Sequence, residues 1–331
     1  MKSNKFALIS LLVAAILVTA TTIAMAAPIV IRFCHNATEN TPKGQMANRF
    51  AELVEQRLKS KVTVEVFPDS QRGDDHEVLE DMLLGKVQIA APSLSILKKY
   101  TKSLQLFELP FLFKDMTAVE AFQQGPTGQK LLMATKKKGL IGLEFLHNGL
   151  KQLSATTPLR VPTDARYKKF AITSSAISVA QFEAIGAIPM RKPSSEVYTL
   201  LQNKVIDGQE NSCSNIYSKN IYRVQPYITE SNHGVLDDMV ITSVEFWIGL
   251  PDGIRTEVKK ALDEAVAFGN KITAEKTISD RQQVINFRRS TVIQLSVAER
   301  QQWIDTMQPV WKMFEKEIGK EYIDAAIQAN K

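Results

Sequence analysis

IVIRFCHNATENTPKGQMANRFAELVEQRLKSKVTVEVFPDSQRGDDHEVLEDMLLGKVQIAAP, residues 29–92, carries a β-α-β-α-β pattern. Residues 29–34 are a short run of β-formers. Thr41-Pro42 then offers a capping hydroxyl and a proline for a first helical turn, and Met46, Phe50, Leu53, Val54 and Leu58 follow at helical spacing. Residues 61–68, KVTVEVFP, alternate as a strand. Asp74-Asp75 can cap a helix that runs to Leu84 and stops at Gly85, and residues 88–92 return as a strand. Strands alternating with helices in this way predict a mostly parallel sheet covered by helices.

Downstream the pattern restarts. Residues 140–146 and 170–173 read as strands, residues 176–185 and 196–203 as helices, with further strands near Ile188 and Ile206. This is a second α/β unit. From Pro251 to about Ile285 breakers are few, and a helix of ~30 residues at ~1.5 Å each would run ~45 Å, longer than one lobe. Such a helix would strap two lobes together. Residues 297–329 are helical by period, with Trp303, Met307, Trp311 and Phe314 as an apolar stripe that reads as core.

Upstream, residues 1–26 (MKSNKFALISLLVAAILVTATTIAMA) have a positive start, an apolar run and Ala24-Met25-Ala26 before Ala27. That is the pattern of a cleavable signal peptide, which predicts an exported protein of residues 27–331. The chain is 44% hydrophobic and 23% charged, with a formal net charge of +6, so it can build cores and is not disordered. Its basic residues are scattered among acids, which predicts no nucleic-acid partner. Two cysteines, Cys34 and Cys213, cannot build a disulfide framework, and two free thiols are expected.

Catalytic motifs are not found. There is no phosphate-binding loop, dinucleotide fingerprint, nucleophile elbow or zinc-protease helix. His35, His76, His147 and His233 lack metal-ligand spacing, so no metal and no cofactor are expected. Asp74-Asp75 and Asp237-Asp238 read as caps or turn residues, and Lys136-Lys137-Lys138 as a solvated helix end. An enzyme is not expected.

Several segments carry a family resemblance. IRFCHNATENTPKG (31–44), FPDSQRGDD (67–75), LPFLFKD (109–115), NGLKQ (148–152), SEVY (195–198), VIDGQEN (205–211) and NHG (232–234) resemble the extracytoplasmic solute-binding proteins of tripartite ATP-independent periplasmic (TRAP) transporters. SNIYSK (214–219) and ITESNHGVLD (228–237) resemble the DctP type, which binds four-carbon dicarboxylates such as succinate, fumarate and malate. The resemblance implies two α/β lobes with a ligand cleft between them, crossed by two strands and a long helix. Lobe 1 would be 27–148 plus 237–276, and lobe 2 would be 149–236 plus 277–331. It also implies closure around a small organic acid, then docking of a monomer on membrane permease subunits. An alternative is a diverged member that binds another solute, or a periplasmic co-sensor with little affinity for dicarboxylates.

Site residues follow from the same resemblance. Lys151 would contact a ligand carboxylate, Asn211 would hydrogen-bond it, and Asn36, Asp75 and Ser93 would line the first lobe. Four positions depart from the family pattern. Ala171 stands where a clamping arginine is usual, Ser194 for an aromatic, Cys213 for a tryptophan and Asp238 for a tyrosine. Without the arginine, succinate and malate would bind only in the ~0.1 mM range or worse, and Asp238 facing the cleft would repel a dianion. Ala171→Arg would then tighten binding, more so with Asp238→Tyr. Lys151→Ala would weaken it with little change in stability. Arg166, Arg191 and Lys192 are candidate compensating cations.

Overall fold

The computed structural model describes residues 27–172 and 175–331; the signal-peptide reading of 1–26 lies outside the described residues. Sheet one joins β1 (Ile29–Cys34), β2 (Val62–Phe67), β3 (Ile89–Ala90), β4 (Leu140–Leu146) and β10 (Asp238–Ser243) in the order β2-β1-β3-β10-β4. Sheet two joins β5 (Gln152–Ala155), β6 (Lys169–Ile172), β7 (Ile188–Arg191), β8 (Gly208–Asn211), β9 (Tyr227–Glu230) and β11 (Thr291–Gln294) in the order β11-β9-β5-β8-β6-β7. Each sheet is the centre of one lobe. β1 pairs in parallel with β2 and β3, as the β-α-β-α-β reading expects.

Local chemistry sets the helix ends. Thr41 accepts from the Gly44 amide and Pro42 opens the helix Pro42–Leu58. Asp74 and Glu77 form a reciprocal capping box for Asp75–Leu83, and Gly85 follows at φ +75°. The apolar stripe of Pro42–Leu58 then buries Met46, Ala47, Phe50, Leu53 and Val54 against Ile31 and Phe33 of β1.

Two connectors cross between the lobes side by side. Residues 147–151 leave β4 for β5, and residues 231–237 return from β9 to β10. They bond each other through Lys151 N–H to Gly234 O (2.8 Å), Leu236 N–H to Gly149 O (2.9 Å) and His233 N–H to Lys151 O (3.2 Å). The strap is the 35-residue helix Asp252–Asn286, about 52 Å long at 1.5 Å per residue. Its first half packs Val258, Ala261, Leu262, Ala265 and Val266 into the first lobe's core. Gly269 lets it approach Met46, whose Cβ would lie 2.8 Å from a methyl placed there. Its second half joins Val284 to Ile216 and Ile228 of the second lobe, and Arg281 forks onto Glu230.

The C-terminal stretch departs from the sequence reading. It is three helices, Val297–Met307, Val310–Ile318 and Lys320–Ala329, broken at Gln308-Pro309 and at Gly319. The first buries Trp303 and Met307 in the second lobe. The other two put Val310, Ile318, Ile323 and Ala326 into the first lobe's core beside Phe107 and Phe122. The division that gave all of 277–331 to lobe 2 therefore leaves out the packing of 310–329 on the first lobe, while Val310–Ile318 also meets Ile177 and Ala180 of the second. The cause is apolar: the faces of these short helices match the open side of the Phe107–Phe113–Phe122–Phe145 aromatic cluster.

Candidate ligand cleft

The first lobe's side of the cleft is built at the ends of β1, β3 and β10. Lys43, in the first turn of its helix, is buried and donates to Asp238 Oδ1 (3.0 Å), Asn36 Oδ1 (2.9 Å) and the Ala91 carbonyl (3.1 Å). Asn36 Nδ2 donates in turn to Asp75 Oδ2 (2.9 Å), which also receives the Ser93 amide (3.4 Å). Ser93 forms a β-bridge with Asp238. Asn36, Asp75, Ser93 and Asp238 are thus one connected group. Burial pushes the Asp75 carboxyl upward, and it raises Asp238 to about 6 although Lys43 opposes it. Asp238 is therefore not the lone repelling charge that the sequence suggests, because Lys43 neutralises it by contact.

On the second lobe, Lys151 enters β5 and is 3% exposed. Its Nζ donates to Glu210 Oε1 (3.0 Å), and Glu210 Oε2 lies 2.9 Å from His233 Nε2. His233 Nδ1 lies 2.8 Å from Ser231 Oγ, so a neutral ring with its proton on Nε2 satisfies both contacts. Burial opposes the charge on Glu210, yet Lys151 and His233 outweigh it and bring its pKa down to about 2. Lys151 is accordingly a structural ion-pair partner as well as a candidate ligand contact, which revises the expectation that its removal leaves stability unchanged. Asn211 faces Gln152 across β5–β8. Its Oδ1 accepts from Asn215 Nδ2 (2.7 Å) and the Ser212 amide (3.1 Å), so its amide hydrogens remain the group it can offer a ligand.

The other departures are dispersed. Phe170 and Ile172 point into the second lobe's core, and Ala171 points the opposite way as alternation requires. There it is 4% exposed and packs with Leu201, Ile206 and Ile216, in an apolar cluster under the helices Val197–Gln202 and Cys213–Ser218. Cys213 lies against the strap, in a small recess with Ile216, Ile228, Glu230 and Arg281. Ser194 accepts a 2.6 Å hydrogen bond from Lys219. Arg166 packs on Gly186, Arg191 is exposed at the end of β7, and Lys192 after it is half-buried.

Both thiols are buried and unpaired, Cys34 in the first lobe and Cys213 in the second. Burial pushes each up to about 11. Titration of the denatured, unreduced protein is expected to count two thiols, and the native protein should react slowly because little thiolate forms at neutral pH. A count of zero would establish a bond between them.

The sequence reading missed Lys43, Glu210 and His233. A signal existed for the first: a lysine in a helix's first turn opposes the dipole and needs an acceptor of its own. Glu210 gives a weaker one, an acid between two polar neighbours in a buried strand, which requires a partner.

The profile of the bacterial extracellular solute-binding proteins, family 7 (DctP), matches residues 33–317. The chain belongs to this family. It is 55% identical over 305 residues to the C4-dicarboxylate-binding periplasmic protein DctP of Shewanella loihica, covering 92% of this chain and 91% of that one. The corresponding protein of Vibrio cholerae is 45% identical over 303 residues, covering 91% of each chain. A TRAP solute-binding protein of Shewanella oneidensis, solved with bound succinate, superposes with a TM-score of 0.90 at 56% identity. That match covers 92% of this chain and all of that one. A second, from Pseudomonas aeruginosa with bound L-malate, gives 0.83 at 40% identity over 86% of this chain and all of that one. As a family 7 member the protein is a TRAP solute-binding receptor and not an enzyme.

Proposed function

We propose that this receptor captures a four-carbon dicarboxylate such as succinate, fumarate or malate between its lobes and delivers it, as a periplasmic monomer, to the membrane subunits of a TRAP transporter. A cleavable signal peptide at 1–26 would export it. The observation that carries the reading is the 56% identity and 0.90 TM-score to a succinate-bound receptor. The geometry is compatible with it: Lys151 immediately precedes Gln152, which pairs with Asn211 across β5–β8 in the second lobe, and Asn36, Asp75 and Ser93 are hydrogen-bonded together in the first. A ligand that touches both walls binds the closed form better and shifts the lobes toward it. Calorimetry on residues 27–331 with succinate, fumarate and malate is expected to give saturable binding of at least one of them, tighter than the ~0.1 mM that the missing arginine alone suggests. Binding of none would refute the reading and favour a diverged solute or a co-sensing role.

A further inference from the structure

Asn148 stands where the first connector leaves the first lobe, and side chains grip the backbone there. Its amide donates to Asp237 Oδ1 (3.1 Å), at the end of the returning connector. Asp237 is buried, and its Oδ2 receives Gln123 Nε2 (2.9 Å) from the helix Met116–Gln124. Gln123 Oε1 lies 2.9 Å from His147 Nε2. An ionised carboxylate only accepts, so Gln123 turns its nitrogen to Asp237 and its oxygen to His147, which puts the ring proton on Nε2. The strap completes the grip. Asn270 Oδ1 accepts the His147 amide (2.8 Å), and Thr273 Oγ1 donates to the His147 carbonyl (3.1 Å). Residues 147–148 are thus tied by side chains to the first lobe, to the other connector and to the strap.

The Asn148 side chain reaches the other way, into the second lobe. Its Oδ1 accepts from Ser212 Oγ (3.1 Å). Ser212 also caps the helix Cys213–Ser218 by accepting the Asn215 amide (3.3 Å), and its own amide donates to Asn211 Oδ1 (3.1 Å). Asn215 Nδ2 donates to the same oxygen (2.7 Å). With Oδ1 held twice, the aim of the Asn211 amide hydrogens follows from where Ser212 and Asn215 stand. We propose that Asn148 is a positioning residue for ligand binding: anchored on Asp237, it sets Ser212, and through Ser212 it aims the Asn211 amide at a ligand carboxylate. Three hydrogen bonds in series, Asp237 to Asn148 to Ser212 to Asn211, then join the first lobe to the candidate contact on the second. A movement of the lobes that parts Ser212 from Asn148 would release that aim, so affinity would depend on the register between the lobes as well as on the groups that touch the ligand.

The proposal rests on the dicarboxylate reading and on Asn211 as a contact, and one calorimetric set separates the three. Succinate is titrated into residues 27–331 unaltered and as Asn148→Ala, Ser212→Ala, Asn211→Ala and the double variant Asn148→Ala with Asn211→Ala. Asn148→Ala is expected to weaken succinate by about five- to tenfold, the size of one hydrogen bond. Ser212→Ala removes the same bond from the other side and should weaken it at least as much. In the Asn211→Ala background, Asn148→Ala should cost less than about twofold, because a residue that acts through Asn211 then has nothing to position. A merely structural role for Asn148 would cost the same in both backgrounds. That equal loss, or unchanged affinity in Asn148→Ala or in Ser212→Ala, would overturn the proposal and leave the dicarboxylate reading standing. Asn211→Ala binding as tightly as the unaltered protein would remove that contact and the proposal with it. Failure of the unaltered protein to bind succinate, fumarate or malate would overturn the dicarboxylate reading as well.

Discussion

Glu210→Ala is expected to lower the free energy of unfolding by about 3–5 kcal/mol, the usual cost of breaking a buried ion pair from one side. Glu210 is the only acid bonded to both Lys151 and His233 among the described residues, and all three are buried. Its removal strands the Lys151 ammonium in a site with little water, beside a second buried carboxyl, Glu108, that burial already pushes upward. Glu210→Gln keeps the shape and one acceptor and should fall between. The same triad joins strand β8 to the returning connector at His233, so the loss should also lower ligand affinity through the position of Lys151. Urea unfolding followed by circular dichroism measures the first effect. A loss below about 1 kcal/mol would mean that Lys151 finds another partner.

Lys43→Met should be of similar size at pH 7.5, about 3 kcal/mol, and should shrink on acidification. Among the described residues Lys43 is the one cation in contact with Asp238, whose carboxyl is buried and whose second oxygen has no partner. The sign follows from Asp238. Its folded-state pKa, about 6, is above its unfolded value, so the folded state holds the proton more tightly and this group favours folding more as pH falls through 6. Without Lys43 that pKa rises further, so the variant is neutral at position 238 across the neutral range and carries the cost of taking up a proton there. By pH 5 the unaltered protein has protonated Asp238 too, and the difference between the two narrows. His35 acts in the opposite direction in the unaltered protein, since burial lowers it to about 3 with Lys43 adding to the shift. Loss of Lys43 relaxes His35 as well, which narrows the gap further. Unfolding curves for both proteins at pH 7.5 and pH 5 are the measurement. A deficit independent of pH would show that Asp238 does not carry it.

The periodic parts of this fold were plain in the sequence. Thr41-Pro42 and Asp74 mark helix starts, Gly85 marks a stop, and the strap emerges from a breaker-free run. The weak points were short strands. β9, β10 and β11 have four, six and four residues, and their place in the sheets depends on partners far along the chain. β10 lies between β3 and β4, a position that no local signal could assign. The cleft was half legible. Asn36, Asp75 and Ser93 do meet, through the family resemblance and not through spacing, because residues 36, 75 and 93 converge only when β1 and β3 pair. The charge balance was not legible. Asp238 looked like a liability and Lys151 like a free cation, since a sequence lists charges without saying which of them touch.

The path of the last twenty-odd residues constrains how this protein acquires its structure. The first lobe begins at residue 29 but lacks a central strand until 238–243 and an outer wall until 310–329. Asn330 closes that wall by bonding the Leu112 carbonyl and the Lys114 amide. The first lobe is not one continuous stretch of chain, and the contacts that finish it span nearly the whole length of the chain. Such long loops must close before their contacts reward them, which slows folding. A chain made from its N-terminus onward therefore stays pliable until its end is available, then locks as one cooperative body rather than lobe after lobe.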